Sequence, residues 1–212
     1  VAEVAGADIV ALAEAIGMDE RIGKKFLRSG VGFGGGCLPK DIRGFLSRAE
    51  ELGVGAAVDF LRNVDEVNLR RRGRVVELAQ QELGDLQGKK ILVLGISFKP
   101  DSDDLRDSPS LDVALRLSSL GAEVRLHDPK ALGALGDRYS ELERTSDINT
   151  GSKGVDLVFL GTEWSEYRAI DPRAFGDLVA NKLIIDGRNV LDVAAWQAAG
   201  WRLIALGRNV HN

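Results

Sequence analysis

The chain of 212 residues is poor in the side chains that most often cross-link proteins or bind metals, with one cysteine, Cys37, and two histidines. A single cysteine cannot form an intrachain disulfide, which is typical of a reducing compartment such as the cytoplasm. His127 and His211 are isolated and have no neighbours at metal-ligand spacing. We therefore predict a cytoplasmic protein without a metal site.

The sequence also lacks long hydrophobic runs and an excess of positive charge. No apolar stretch approaches the length that spans a bilayer, so no membrane anchor is expected. The formal net charge of −4 argues against a general nucleic-acid-binding protein, because such proteins need a basic surface. One basic run, Arg70 to Arg72 with Arg74, is interpreted as the solvated or subunit-facing side of a helix.

The first half of the chain is predicted to be helical and to form a unit of residues 1–86. An apolar stripe predicts a helix from near Pro39 to Gly53. No proline falls between Val54 and Leu83, which predicts one helix of roughly 45 Å that connects domains or forms a dimer interface. The chain begins at Val1 inside a helical pattern, so we predict that it is part of a longer protein.

After Gly88 the pattern changes to apolar runs that alternate with helical segments. Continuous apolar runs are typical of strands buried on both faces of a parallel sheet. Five strands are predicted, within "KKILVLGISF", "EVRLHDP", "GVDLVFLGT", "NKLIIDGRN" and "GWRLIALGR". A helix capped by Ser108 follows the first strand, and the polar stretch from Gly133 to Gly154 is predicted to be rich in loops. The fold class is therefore α/β, with a doubly wound parallel sheet over residues 87–212.

Five glycines precede the only cysteine in "GVGFGGGC", residues 30–37. Neither a dinucleotide fingerprint nor a P-loop fits, because no apolar strand precedes the glycines and Lys40 does not follow them directly. Cys37 lies just before a predicted helix start at Pro39, where the positive end of the helix and Lys40 favour a thiolate nucleophile. Asp41 can position water or carry a proton. A buried structural cysteine beside a tight turn remains an equal alternative.

A second set of charged residues follows the first predicted strand, in "LGISFKPDSDDLRDSP". Lys99 and Arg106 lie ahead of the helix at Pro109, which makes a plausible phosphate site. Only Gly95 stands where a dinucleotide turn has several glycines, so close wrapping of a pyrophosphate is not expected. The four aspartates nearby are interpreted as a solvated or salt-bridged turn rather than a metal site. Arg188, in "DGRNV", is predicted at the same edge of the sheet.

Five segments stand out in the sequence: "RIGKKFLRSGVGFGGGCLPKD", "LGISFKPDSDDLRDSP", "HDP", "TEW" and "DGRN". Together they resemble the motifs of the UDP-glucose/GDP-mannose dehydrogenase family, in order and over essentially the whole chain. The resemblance implies oxidation of a nucleotide-sugar alcohol to a carboxylate with two NAD⁺. The family's N-terminal NAD-binding domain is missing, and its catalytic lysine and asparagine with it. NAD would therefore bind mainly outside this chain, which we expect to be inactive alone.

The resemblance also implies roles for individual residues. Cys37 matches the nucleophile that captures the intermediate aldehyde, and Asp41 matches the aspartate that assists proton transfer and water. Arg106 matches an arginine that reaches NAD, and Arg21 one that reaches the substrate of the neighbouring subunit in a homodimer built on the long helix. The residues that match contacts to the UDP-sugar are Arg28, Ser29, Gly30, Val31, Gly32, Phe33, Gly34, Phe98, Lys99 and Arg188.

Two positions depart from the family pattern, since Gly36 replaces a serine and Leu38 a frequent phenylalanine. Oxidation of UDP-glucose is the leading hypothesis. A dehydrogenase of GDP-mannose or of a UDP-N-acetylhexosamine, and a non-catalytic module for nucleotide-sugar binding and dimerisation, are the alternatives.

Overall fold

The computed structural model describes residues 1–209, and His211 lies outside the described residues. The first helices are α1 (Ala2–Ala5), α2 (Ile9–Ile16) and α3 (Leu38–Glu51). As the sequence predicts, α3 begins beside Pro39, and Cys37 is the residue that precedes its first turn. Buried Ile42, Leu46 and Ala49 face the next helix, so α3 is attached to the fold along one apolar side.

The predicted helix over 54–83 is shorter than expected. A 3₁₀ turn occupies Gly55–Ala57, and α4 covers Phe60–Leu83, 24 residues or about 36 Å. Gly53 takes a left-handed conformation, with a φ of 74°, which redirects the chain after α3 and separates the two helices. The basic run on α4 also differs from its interpretation, because Arg72 is buried, with 4% of its side chain exposed.

Six parallel strands form one sheet, in the order β3-β2-β1-β4-β5-β6. The strands are β1 (Lys90–Leu94), β2 (Glu123–His127), β3 (Glu143–Arg144), β4 (Leu157–Leu160), β5 (Leu183–Asp186) and β6 (Arg202–Ala205). The predicted α/β class with a doubly wound parallel sheet is therefore confirmed. The two-residue strand β3 was not predicted. It lies with a 3₁₀ turn and a short helix in the stretch expected to be loop.

Helices cover both faces of the sheet. Five further helices are α5 (Pro109–Ser119), α6 (Ile148–Ser152), α7 (Ser165–Arg168), α8 (Pro172–Gly176) and α9 (Val193–Ala198). Val75 of α4 and Val113 of α5 pack with Ile91 of β1 in one core cluster, whereas Leu92 packs with Trp196 of α9 in the other. The second half of α4 is thus part of the cover of the sheet, in addition to its contact with α3. No helix within residues 1–209 is both long enough and apolar enough to cross a membrane.

Candidate active site

The glycine-rich loop lies across the carboxyl ends of the sheet strands. The Val31 N–H donates to the Gly187 carbonyl, just beyond β5, at 2.9 Å. The Gly35 N–H donates to the Arg106 carbonyl, between β1 and α5, also at 2.9 Å. Ligands of open parallel sheets bind at this edge, where the strand order reverses between β1 and β4. The loop is therefore hydrogen-bonded to the strand ends, and the region between the two is called the groove.

Close packing explains why glycines are needed in this loop. A Cβ on Gly34 would collide with the Asp107 carbonyl. Gly35 has a φ of 92°, which side-chain-bearing residues rarely adopt, and a Cβ there would lie 2.8 Å from the Phe98 ring. The backbone of the loop thus directly contacts the segment that carries Phe98 and Lys99.

Cys37 is exposed at the start of α3, which is contrary to the alternative of a buried structural cysteine. Gly36, the residue before it, lies against the Arg106 guanidinium. The pKa of Arg106 is raised, first by its hydrogen bond to Asp104 and to a smaller extent by Cys37. Arg106 therefore lies next to the end of the loop that carries Cys37.

Asp41 lies one turn into α3, and its backbone N–H donates to the Cys37 carbonyl at 2.8 Å. Its carboxylate is exposed and lies 3.3 Å from the Lys40 ammonium. Both side chains are thus on the solvent side of the helix start. Asp41 is thus exposed to solvent one helical turn from Cys37.

The loop after β1 presents an exposed cation on an aromatic ring. The Lys99 ammonium lies 5.3 Å from the centroid of the Phe98 ring. Arg106 instead donates to the Asp104 carboxylate at 2.7 Å, and this hydrogen bond lowers the pKa of Asp104. The acidic turn is thus salt-bridged, as interpreted from the sequence. Within residues 1–209, no group of three histidine, cysteine or acidic side chains is arranged to hold a metal ion.

Arg188 joins the loop to two strand ends. Its side chain is only 14% exposed, and it donates from Nε to the Gly161 carbonyl at 2.7 Å and from Nη1 to the Gly32 carbonyl at 3.3 Å. Burial lowers the pKa of Arg188, and the Glu163 carboxylate, 3.4 Å away, opposes that effect. Nη2 is buried without a hydrogen-bond partner among the described residues. Arg188 also lines a crevice of about 360 Å³ together with Arg28 and Ser29.

The segment around Arg188 is shaped by a buried carboxylate. Asp186 accepts hydrogen bonds from the N–H groups of Arg188, Val190 and Leu191 at 2.8–2.9 Å, and burial raises its pKa. Asn189 has a φ of 56°, and its amide donates to the Ser29 hydroxyl at 3.2 Å. These contacts fix the shape of the "DGRN" segment and hold it against the start of the glycine-rich loop.

Not every predicted residue lies in the groove. Arg21 is 86% exposed and pairs with Asp19, so its predicted role at a neighbouring subunit stays a prediction. A larger cavity of about 960 Å³ opens beside His127 at the end of β2, and its lining includes none of the residues predicted to form the site.

Sequence reasoning also missed Asn68 and Arg72, two buried polar residues of α4 that contact the loop. A signal for Asn68 was present, because it follows Val64 by four residues and so falls on the apolar stripe of the helix. Arg72 lies within a run of arginines, and nothing in the sequence distinguishes it from its more exposed neighbours.

Comparison with known proteins relates both halves of the chain to one family. Residues 1–70 match the model of the central domain of the UDP-glucose/GDP-mannose dehydrogenase family, and residues 92–193 match that of its UDP binding domain. The chain is 37% identical to UDP-glucose 6-dehydrogenase YwqF of Bacillus subtilis over 209 residues, 98% of this chain and 47% of that protein.

Two solved structures share the fold. A UDP-glucose dehydrogenase from Pyrobaculum islandicum has a TM-score of 0.76 at 33% identity, over 97% of this chain and 44% of that one. A UDP-D-ManNAc dehydrogenase from Pyrococcus horikoshii has a TM-score of 0.77 at 25% identity, over 98% and 46%. The chain thus spans about half the length of the relatives it matches. The two family-model matches cover most of its residues, and the chain belongs to the UDP-glucose/GDP-mannose dehydrogenase family.

Proposed function

We propose that this chain supplies the nucleophile and the nucleotide-sugar site of an NAD-dependent UDP-glucose 6-dehydrogenase. In this proposal, residues 1–86 form the central unit with the cysteine loop, and residues 87–212 form the UDP-binding unit. One observation carries it: Cys37 is exposed at the end of a loop that is hydrogen-bonded to the segment between Lys99 and Pro109. A cytoplasmic location fits the single free thiol.

The UDP group is assigned to the groove between the loop and the strand ends. Lys99 offers an ammonium to the diphosphate, and Phe98 an aromatic face beside it. Arg188 lines the crevice together with Arg28 and Ser29. The backbone of residues 28–34 completes the contact with the nucleotide sugar, since its glycines leave room for close approach.

The described residues could supply only part of a dinucleotide-binding site. Gly95 is a single glycine where a pyrophosphate turn needs several, whereas Arg106 is an exposed cation beside the sulfur. When bound, NAD⁺ supplies the acceptor for the hydride that leaves the sugar C6 in each oxidation. Arg106 would contact it across the groove, and its remaining contacts are assigned to residues outside this chain.

Cys37 carries the chemistry between the two oxidations. Its thiolate adds to the C6 aldehyde, so that a C–S bond forms and the carbonyl oxygen takes a proton to give a thiohemiacetal. Loss of hydride from C6 and of the hydroxyl proton leaves a thioester. Water then attacks the thioester carbon, the C–S bond breaks, and the carboxylate and the thiol are released. Asp41, beside the sulfur on α3, assists the water and its proton.

A homodimer through α4 is part of the proposal. Phe60, Val64 and Val67 are between 40% and 63% exposed, an apolar surface that a second copy could cover. Arg21, exposed on the same half of the chain, would then reach the substrate of the partner subunit.

Binding calorimetry tests the proposed function. We expect UDP to bind and GDP to bind at least about tenfold more weakly, a difference of about 1.4 kcal/mol. Lys99→Ala should abolish most of the UDP affinity, whereas Lys153→Ala, an exposed lysine after α6, should not change it. A preference for GDP would favour GDP-mannose as substrate. The likeness to a UDP-D-ManNAc dehydrogenase makes UDP-N-acetylhexosamines the sugars to compare with UDP-glucose.

A turnover assay distinguishes this chain from a complete enzyme. We expect no NADH absorbance from the chain with NAD⁺ and UDP-glucose, because no dinucleotide fingerprint is present in its sequence. A clear NADH signal would contradict this assignment. Binding of UDP without any reaction of Cys37 would favour the non-catalytic binding module.

A further inference from the structure

Asn68 holds the glycine-rich loop by its main chain. Its Oδ1 accepts the Phe33 N–H at 2.8 Å, and its Nδ2 donates to the Phe33 carbonyl at 2.9 Å. A neighbouring β-strand would pair with Phe33 through the same two groups. Asn68 is 4% exposed, and Gly32, with a φ of 111°, is so close to it that a Cβ would collide with Oδ1. The backbone of the loop is therefore fitted to this one side chain.

Arg72, one turn further along α4, joins the same carbonyl to the second loop of the groove. Its Nη2 lies 3.4 Å from the Phe33 carbonyl and 2.7 Å from Oδ1 of Asp107. Asp107 has a φ of 46°, and its other carboxylate oxygen accepts from Arg43 of α3 at 3.3 Å. One carboxylate is thus shared between α4 and the helix that Cys37 precedes.

We propose that Asn68, Arg72 and Asp107 form a positioning cluster that sets the distance between the cysteine loop and the loop carrying Lys99. This inference rests on the proposed function, because it assumes that both loops bind one UDP-sugar. Among the described residues, the hydrogen bonds of the cluster go to neither Cys37 nor Lys99, so it acts through the backbone of Phe33 and the Asp107–Pro109 turn. Because α4 supplies two of its three residues, the helix assigned to the dimer interface also sets the geometry of the site.

Three variants test the inference in the 212-residue chain. Asn68→Ala removes both hydrogen bonds, whereas Asn68→Asp keeps the shape and the acceptor for the Phe33 N–H. Val76→Ala creates a small cavity in the core two turns further along α4 and controls for a general loss of stability. Amide hydrogen exchange at Phe33, the rate of Cys37 alkylation at fixed pH and the Kd for UDP are measured for each variant.

We expect Asn68→Ala to raise exchange at Phe33 by about tenfold or more and to weaken UDP binding by about tenfold. The rate of Cys37 alkylation should also differ from that of the parent. Asn68→Asp should restore protection of the Phe33 N–H only in part, because its carboxylate accepts from that N–H but cannot donate to the Phe33 carbonyl, and Val76→Ala should leave all three measurements within about twofold of the parent. If Asn68→Ala does not fold, Arg72→Met takes its place, because methionine keeps a long side chain but cannot donate to Asp107 or to the Phe33 carbonyl.

Two results would overturn the inference. One is faster exchange at Phe33 while UDP affinity and Cys37 alkylation stay at parental values. The other is an equal loss in Val76→Ala, which would make the effect one of stability alone. If the parent chain does not bind UDP, the proposed function fails. The rate of Cys37 alkylation then tests the positioning role by itself, because an unchanged rate in Asn68→Ala refutes that role.

Discussion

The Gly35 N–H donates a hydrogen bond of 2.9 Å to the carbonyl of Arg106, which joins the loop that ends at Cys37 to the loop that carries Lys99. The two loops belong to different halves of the sequence, 71 residues apart at this contact. The loops that carry the nucleophile and the cation of the proposed site are therefore in direct contact. Substitutions at this contact should affect ligand binding more than they affect folding elsewhere.

Gly35→Ala is predicted to damage the groove. A Cβ at Gly35 would lie 2.8 Å from the Phe98 ring, on a backbone whose φ of 92° is strained for alanine. We expect the free energy of unfolding to fall by about 1–3 kcal/mol and UDP binding to be lost. Chemical denaturation and calorimetry measure the two effects.

Gly44→Ala is the matched control for this substitution. Gly44 lies on the exposed side of α3, where an added Cβ would have no heavy atom within 4 Å. Alanine should stabilise the helix there by about 0.5–1 kcal/mol without any effect on UDP. Equal UDP affinity in the parent and in Gly35→Ala would be inconsistent with ligand binding against this loop.

Arg188→Met is predicted to be strongly destabilising. The variant keeps a long apolar side chain but removes the contacts to Gly161 and Gly32 and leaves the Glu163 carboxylate, 15% exposed, without its buried partner. Breaking a buried ion pair in this way costs about 3–5 kcal/mol. The free energy of unfolding in urea measures the loss.

Arg28→Met provides the comparison, because Arg28 pairs with the same carboxylate at 3.6 Å but is 74% exposed. An exposed pair contributes about 0–1 kcal/mol, so this variant should be nearly as stable as the parent. Similar losses for the two variants would mean that the buried contacts of Arg188 do not hold the loop.

His127 is predicted to make stability depend on pH below about 6.5. Burial lowers the pKa of the imidazole, while Glu166, Asp128 and Asp147 and a hydrogen bond with the Ser146 backbone oppose the shift. As the pH falls through the ordinary histidine value, the unfolded chain takes up a proton that the folded chain does not. Stability is therefore lost as pH decreases, by at most about 1.4 kcal/mol per pH unit.

An NMR titration of His127 tests this directly, and its pKa should lie below 6.5. The pH dependence of the free energy of unfolding is compared for the parent and His127→Gln between pH 5 and 8. The difference removes the contributions of groups that titrate equally in both proteins. The parent should show the steeper slope. A normal histidine pKa, or equal slopes, would show that the buried imidazole does not limit stability.

Much of the fold was predictable from local signals. The start of α3 beside Pro39, the cap of α5 at Ser108 and five apolar strands all depend on the sequence within a few residues. The strand β3 was missed because two polar residues, Glu143 and Arg144, carry no apolar pattern, and only pairing with β2 makes them a strand.

The site was less predictable than the fold. The resemblance of the motifs supplied Cys37, Lys99 and Arg188, but no local pattern shows that Arg72 is buried between two loops. Its burial follows from the position of Asp107, 35 residues away, which sequence spacing cannot reveal. The length of α4 was overestimated because a separate 3₁₀ turn at Gly55–Ala57 precedes the helix, and no proline marks it in the sequence.

The central claim is that the Cys37 sulfur faces the C6 end of a bound nucleotide sugar. The most direct measurement is the alkylation rate of Cys37, the only thiol of the chain, with UDP-glucose, with UDP and without ligand. At 100 times its Kd, UDP-glucose should slow alkylation by about tenfold or more, and UDP should slow it less, because UDP lacks the sugar that covers the sulfur. An alkylation rate that stays the same while calorimetry shows UDP-glucose bound would contradict the account.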